Sequence, residues 1–474
     1  MFIGNGPELS RRAFVRRSSQ LAVMGAASSY ALGLAGIGEA AAFSTNGDYK
    51  ALICLFLYGG NDHNNTLIPY DRENYARYAG IRGGDGEGGG GIALPRGSLA
   101  QTVLTPRNDQ VLTDNQIFAL APTMPRLKQR FDEGNLAPLL NVGPLIVPTS
   151  LSQYERNTVP LPPKLFSHND QQSVWQSSQT EGAPSGWGGR MSDLALSSNT
   201  NSMFTAINAF GNAVFLSGHD AVPYQVAPHG ATLIGAISGN PGFLPQRSVD
   251  ALDSVLRSGS GHYLKADYAY INARSIEYGN FVNNALNSSN LSTNFPRDNY
   301  LAAQLEVVAR LISVRNRLGV TRQVFMVGMG GFDTHDGLIG QHEGLLGKVD
   351  EALDALYRAT VEIGIPEQVT TFTASDFGRT FASNGNGSDH GWGSHHFILG
   401  GDVRGGRFYG RAPHVSVDSE DQVGQGRLLP DIAVDQYSAT LARWFGVSIS
   451  EMPSIAPNIG RFASLDLGFM KVAG

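Results

Sequence analysis

The chain holds a single cysteine, Cys54, in 474 residues, so an internal disulfide and a cysteine-built zinc site are both excluded. It is also short of charge: Asp, Glu, Lys and Arg make up 16%, against about a quarter in ordinary soluble proteins. There is no basic surplus, and a formal net charge of -6 excludes the electropositive footprint of a nucleic-acid-binding protein. Beyond the amino-terminal segment no stretch reaches 18 apolar residues, so no stable membrane span is expected after processing. What is present in excess is glycine, 58 residues without a G-X-Y period, which excludes collagen and implies Gly/Ser/Asn-rich surface loops. A hydrophobic content of 42% is enough for a large core and excludes general disorder.

The first 42 residues read as an address. Ser10-Arg11-Arg12-Ala13-Phe14-Val15 is a twin-arginine pattern, followed by a weakly apolar stretch over 21–37 and by Ala40-Ala41-Ala42 as a cleavage site. Basic, apolar, then small residues is the order of a Tat export signal. The expected localisation is periplasmic or secreted, with the Tat translocase as a partner during export.

In the remaining chain, apolar runs alternate with amphipathic stretches. Strands are expected over 51–58, 136–142, 203–210, 213–216, 323–327, 369–373 and 397–399. Helices are expected over 123–131 with Thr123 as N-cap and Gly134 as stop, from Asn169 through Trp175, over 263–318 with a break near 283–296, over 342–363, and through Phe445 with Asp435 as cap. The first run is apolar on both faces and reads as a buried central strand. The alternation implies an α/β fold, a mostly parallel central sheet flanked by helices, in a single domain over 43–474. The helical region 247–318 reads as an inserted cap. The stretch 83–91 (GGDGEGGGG) has no strand before it and no helix after it, so it is a surface loop and not a phosphate loop.

Five of the 11 histidines fall between 333 and 396. Asp333 and His335 follow one expected strand, Asp376 follows the next, and Asp62 follows the first. His390, His395 and His396 lie in the loop beyond. In an open α/β sheet, the loops past the carboxyl ends of the strands form the ligand crevice, so these segments should meet at one edge. Carboxylates gathered there repel unless a cation neutralises them. Imidazole with carboxylate suits zinc, manganese or iron; carboxylate alone suits calcium or magnesium. His342 reads as a helix-face residue, and His63, His219, His229, His262 and His414 as surface histidines.

The segments LYGGNDHNNTLIPYD (57–71), GFDTHDG (331–337), SDFGRTFASNGNGSDHGWGSHHFILGGDVRGGRFYG (375–410) and VDQYSATLARWFGV (434–447) resemble the exported bacterial family named domain of unknown function 1501. The likeness spans nearly all of 50–465. That family resembles the alkaline phosphatase/sulfatase superfamily, whose members use a parallel sheet and divalent metals to cleave phosphate or sulfate esters. The resemblance implies one to two divalent ions. Asp62 stands at the first-strand metal aspartate, Asp333 and His335 at the Asp/His pair of one site, and Asp376 at the aspartate of the second. The second site's usual Asp-His reads Asp376-Phe377 here, so His390 or His395 would have to supply the imidazole. Cys54 lies inside a strand, which excludes the sulfatase cysteine motif.

For a nucleophile, Ser167 precedes an expected helix, where free N–H groups can hold an anion; the same residue, or Asn169, can equally serve as a plain cap. His168 suits either a ligand or an acid. Arg379 suits either an oxyanion clamp or a structural ion pair. Two functions are therefore carried forward: an exported metal-dependent hydrolase of small-molecule or polymeric phosphate or sulfate esters, and a non-catalytic exported binding or assembly protein with a degenerate site.

Overall fold

A computed structural model of the chain describes residue 43 and residues 48–83, 91–107, 110–231, 244–257 and 263–471. The export signal, residues 84–90 of the glycine loop and His262 lie outside the described residues.

Among the described residues ten strands follow one another: β1 (Lys50–Leu57), β2 (Leu67–Pro69), β3 (Phe118–Leu120), β4 (Leu136–Gly143), β5 (Ala206–Asn208), β6 (Tyr224–Gln225), β7 (Arg322–Met329), β8 (Val369–Ser375), β9 (Ser394–Gly400) and β10 (Ile432–Ala433). Eight form one sheet in the order β10-β4-β9-β8-β1-β7-β5-β6, while β2 and β3 pair separately. All strand pairs of the large sheet are parallel except those of β9, which runs antiparallel to both β4 and β8. The α/β class and the mostly parallel sheet are as expected.

The central strand explains its own sequence. Along β1, Leu52, Cys54 and Phe56 join the core on one face, and Ile53, Leu55 and Leu57 the core on the other. Alternate side chains point to opposite faces, so a strand buried on both must be apolar throughout. One face is covered by the helices Tyr300–Ser313 and Leu338–Ile363, through residues such as Leu305, Val308, Leu353 and Leu356. The other is covered by Trp187–Ala195 and Val434–Phe445, through Met191, Tyr437 and Leu441. Among the described residues no helix is long and apolar enough to cross a membrane.

Several local expectations are corrected. Residues 214–216 form a 3-10 turn, and the strand expected over 203–210 shortens to β5. Thr123 does not cap the next helix: its hydroxyl donates to the Glu343 carbonyl. The helix is Pro125–Glu133, and its first N–H groups are taken by Asp350 from the Leu338–Ile363 helix, with Leu127 N 2.7 Å from Oδ1. Gly134 does end it, in the left-handed conformation that favours glycine. Asp435 lies inside the last helix and accepts from Asn458 N, whereas Gln436 reaches back to the Ala433 N–H. His63, expected at the surface, is buried, whereas His342 lies on a helix face as expected, turned inward with Nε2 2.9 Å from Asn61 Oδ1. The part of the helical region at Tyr300–Ser313 lies in the sheet core, where Gln304 makes hydrogen bonds to both the N–H and the carbonyl of Gly328.

Candidate functional site

The carboxyl ends of β1, β7 and β8 lie side by side, and the reversed β9 brings the segment before it to the same edge. Two glycines permit the loops to close on one another. Gly59 has φ +112°, and a Cβ there would stand 2.4 Å from Asp333 N. A Cβ on Gly378 would stand 1.8 Å from the Gly393 carbonyl oxygen. The first approach seats the loop after β1 against Asp333. The second seats the loop after β8 against the chain entering β9, where Gly378 N donates to Trp392 O and Thr380 N to Asp389 O.

Three imidazoles and one carboxylate converge. One ligand atom each from His168, Asp333 and His390 lies within 4.8 Å of the other two. His335 joins this group: its Nε2 is 2.8 Å from His390 Nε2 and 3.2 Å from Asp333 Oδ1. His168 comes from the first turn of the helix His168–Ser177, Asp333 and His335 from the loop after β7, and His390 from the segment ahead of β9.

The other ring nitrogen of each histidine fixes its tautomer. His390 Nδ1 lies 2.8 Å from the Phe166 carbonyl, which can only accept, so Nδ1 carries the proton. His168 Nδ1 lies 2.5 Å from Asp376 Oδ2 and His335 Nδ1 lies 3.1 Å from Asp389 Oδ1, so carboxylates take those two protons. In their neutral forms all three rings therefore turn a bare Nε2 lone pair toward Asp333. Electron pairs facing one another at this spacing repel unless a cation or a proton lies between them. Metal-ligating histidines have this same arrangement, with the distal N–H bonded to a carboxylate or carbonyl.

The electrostatics follow from these partners. The hydrogen bond to Asp376 raises the His168 pKa, against the effect of partial burial. Burial lowers His390, and the Phe166 contact only partly offsets it. For Asp333, partial burial is outweighed by the hydrogen bonds and charge of Arg379, which hold the carboxyl below its ordinary range.

Arg379 is fully buried and grips Asp333 Oδ1 through both terminal nitrogens, with Nη1 also donating to Ser388 O. That leaves Asp333 Oδ2 facing His168 Nε2 at 3.5 Å. Asp376 is fully buried, with Oδ2 shared by His168 and Gln172 and, among the described residues, no hydrogen-bond partner on Oδ1. Asp62 belongs to another group: its Oδ2 accepts from Arg82 Nη2 at 2.7 Å and from Ser388 Oγ at 2.6 Å, and its Oδ1 accepts from Asn65 N. Burial, the largest influence, would raise Asp62, but the equally buried Arg82 guanidinium, His342, the Ser388 hydrogen bond and His63 together outweigh it and hold the carboxyl far below the usual range.

His395 accepts from Asn141 N through Nδ1 and packs edge-on against His63, with burial lowering its pKa to about 4. It sits apart from the converging group. Ser167 is the residue before the His168 helix and makes no capping hydrogen bond; its Oγ lies 3.0 Å from Asp170 Oδ2.

Three supporting residues carry no mark in the sequence: Phe166, Gln172 and Arg82. Asp389, by contrast, adjoins His390 in the same motif, among the acids that accompany the histidines. Arg82 is 20 positions from Asp62 at the end of a helix, with no pattern to mark it. Phe166 acts through its backbone, held at φ +71°, a left-handed conformation that non-glycine residues seldom adopt. Arg427 stacks over its ring and donates from Nε to the His390 carbonyl, so the two residues brace His390 from both sides.

Residues 277–435 match the family model described as "Protein of unknown function (DUF1501)". A comparison with curated proteins found no match. Among solved structures, the chain is similar to the PsFucS1 sulfatase from Pseudoalteromonas sp., at 9% identity and a TM-score of 0.35, covering 90% of this chain and 71% of that one. It is similar to Ps i-CgsB in complex with k-i-k-neocarrahexaose, at 9% identity and 0.34, covering 87% and 77%. A protein concerned with glycosaminoglycan metabolism in Bacteroides thetaiotaomicron gives 11% and 0.33, covering 83% and 72%. Superposition this loose establishes neither a shared fold nor a shared activity.

Proposed function

We propose that the chain is a Tat-exported, metal-dependent hydrolase of phosphate or sulfate esters, centred on His168, Asp333, His335 and His390. The observation that carries this reading is the common tautomer of three histidines, each with Nδ1 tied to an acceptor and Nε2 turned toward one carboxylate. The donor set fits a divalent ion. Imidazole-rich coordination favours zinc, manganese or iron over calcium or magnesium. His168, Asp333 and His390 would hold the ion, with His335 as a fourth ligand. A bound divalent ion supplies Lewis-acid polarisation of the ester and offsets the negative charge that builds in the transition state.

The chain's own residues have separable tasks. Arg379 positions Asp333 by holding Oδ1, leaving Oδ2 for the cluster. Asp376 holds the Nδ1 proton of His168 and so keeps that ring in its ligand form. The attacking group in this proposal is either Ser167 or a water, and Ser167 Oγ lies within hydrogen-bond reach of Asp170 Oδ2, an acceptor for its proton. One ion is favoured over two. Asp62, which resembles a metal aspartate, is already neutralised by Arg82, and Asp376 is engaged by His168 and Gln172.

The same occupied aspartates favour a second reading, a non-catalytic exported binding protein that kept the framework. Turnover separates the two. The zinc- or manganese-loaded protein should hydrolyse an aryl phosphate or an aryl sulfate, and Asp333→Ala should not. A metal-replete wild type that turns over neither ester moves the balance to the second reading.

A further inference from the structure

A polar pocket adjoins the cluster at the carboxyl ends of β1 and β5. Its volume is about 330 Å³, the size of a small-ligand site, about 300–1,000 Å³. We propose that it takes a polyhydroxylated, hexose-sized portion of the ester substrate, an inference that rests on the hydrolase reading above.

The lining carries the argument. Asn169, Gln172, Gln176 and Asn212 contribute four carboxamides, with Tyr58 as an aromatic wall and Glu181 as the one charged group. A carboxamide offers both donors and an acceptor, which matches a ligand whose hydroxyls each do the same. An acyl chain would desolvate these amides without pairing them, at a cost in affinity. The lining itself holds no basic residue, and the Lys164 ammonium nearby is paired with Glu181 at 3.8 Å, so the ester's phosphate or sulfate belongs at the cluster and the uncharged remainder in the pocket.

The wall is built to keep its shape. Tyr58 stacks on Phe210, with ring centroids 5.2 Å apart and planes 24° apart, and packs against Phe56 at 4.5 Å. Gln176 is held as well, its Oε1 accepting from Phe215 N at 3.2 Å. An immobilised ring suits the C–H face of a sugar, while the amides suit its hydroxyls. Gln172 is common to pocket and cluster: it lines the one and donates from Nε2 to Asp376 Oδ2 at 2.7 Å, on the oxygen that also holds His168. A ligand in the pocket is thereby one side chain removed from the histidines.

The test compares a hexose 6-ester with an aryl ester of the same acid, in the metal-loaded full chain. Asn212→Leu and Ala213→Trp, both on exposed or half-exposed lining, should lower the hexose-to-aryl ratio of kcat/KM by at least about ten-fold, the scale of one lost substrate hydrogen bond. An unchanged ratio in both variants, with melting temperatures equal to wild type, overturns the proposal. If wild type hydrolyses neither ester, the hydrolase reading fails by itself and the pocket is judged on binding. Saturation-transfer NMR with millimolar maltose and lactose should then give signals that Ala213→Trp abolishes. No signal from wild type, or an equal signal from the variant, overturns the pocket assignment.

Discussion

His168 Nδ1 stands 2.5 Å from Asp376 Oδ2, which commits the opposite nitrogen of the ring to the cluster. Asp376 is fully buried, and its Oδ2 is shared by this ring and Gln172. Its part is to orient and polarise a ligand. Asp376→Asn should therefore weaken zinc binding about 10–100-fold, the usual effect of removing such a partner. Competition against a chromophoric chelator measures this. Because Asp376 is what raises the His168 pKa, the variant should also bind zinc with less proton competition in mild acid, although more weakly at neutral pH.

Asp333→Ala should lose metal and activity together. It should also destabilise the protein, because Arg379 is left buried with its charge unmatched. Breaking a fully buried pair costs about 3–5 kcal/mol. Asp333 is half exposed, so about 2 kcal/mol is expected after allowing for solvent screening. Urea denaturation checks it, and Asp333→Asn should recover part of the stability but little of the activity.

Ser167→Ala distinguishes two mechanisms. If Ser167 attacks the ester, activity should fall by several orders of magnitude with metal content intact. If water attacks, activity should be nearly kept. Stability is expected to change by less than about 1 kcal/mol, because the hydroxyl makes no capping hydrogen bond and is bound to Asp170 instead.

Acid should destabilise the fold from about pH 6.5 downward. Burial lowers His342 and His395 to about 4 and His396 to about 3. Each is neutral in the folded chain, while the unfolded chain takes up a proton near pH 6.5, so between there and about pH 4 the unfolded state binds more protons. Stability is full above this window and is lost as pH falls through it, with a limiting slope of about 1.4 kcal/mol per pH unit for each histidine. Denaturation curves at pH 7.5 and 5 should show a shallower loss for His342→Gln than for wild type.

Arg11→Lys with Arg12→Lys should trap the precursor inside the cell, because the Tat receptor reads the paired arginines. Cell fractionation checks this, and normal periplasmic accumulation of the double variant would refute it.

The gathering of Asp333, His335, Asp376 and His390 at one edge was legible, because strand ends in a parallel sheet share a side and apolar runs mark the strands. The outcome for Asp62 was not. Its neutraliser, Arg82, comes from a helix end with no spacing rule, and only the packed structure brings the two together. Neighbouring histidines separated for a similar reason. His390 lies in the loop, while His395 is already in β9, where burial on both faces makes it a core acceptor. The reversal of β9 is invisible in its residues, since SHHFILG would suit either direction. Phe166 contributes a carbonyl set by a backbone angle, a property carried by no side-chain pattern.

The central claim is that His168, Asp333 and His390 hold an ion. Elemental analysis of protein purified from the exported fraction tests it directly, alongside His168→Ala and His390→Ala. About one zinc, manganese or iron per chain is expected in wild type and clearly less in either variant. Chelation should lower the wild-type melting temperature, because an ion bound only to the folded state stabilises it by mass action. A wild type without metal that takes up none when offered, and whose melt a chelator leaves unmoved, would contradict the account.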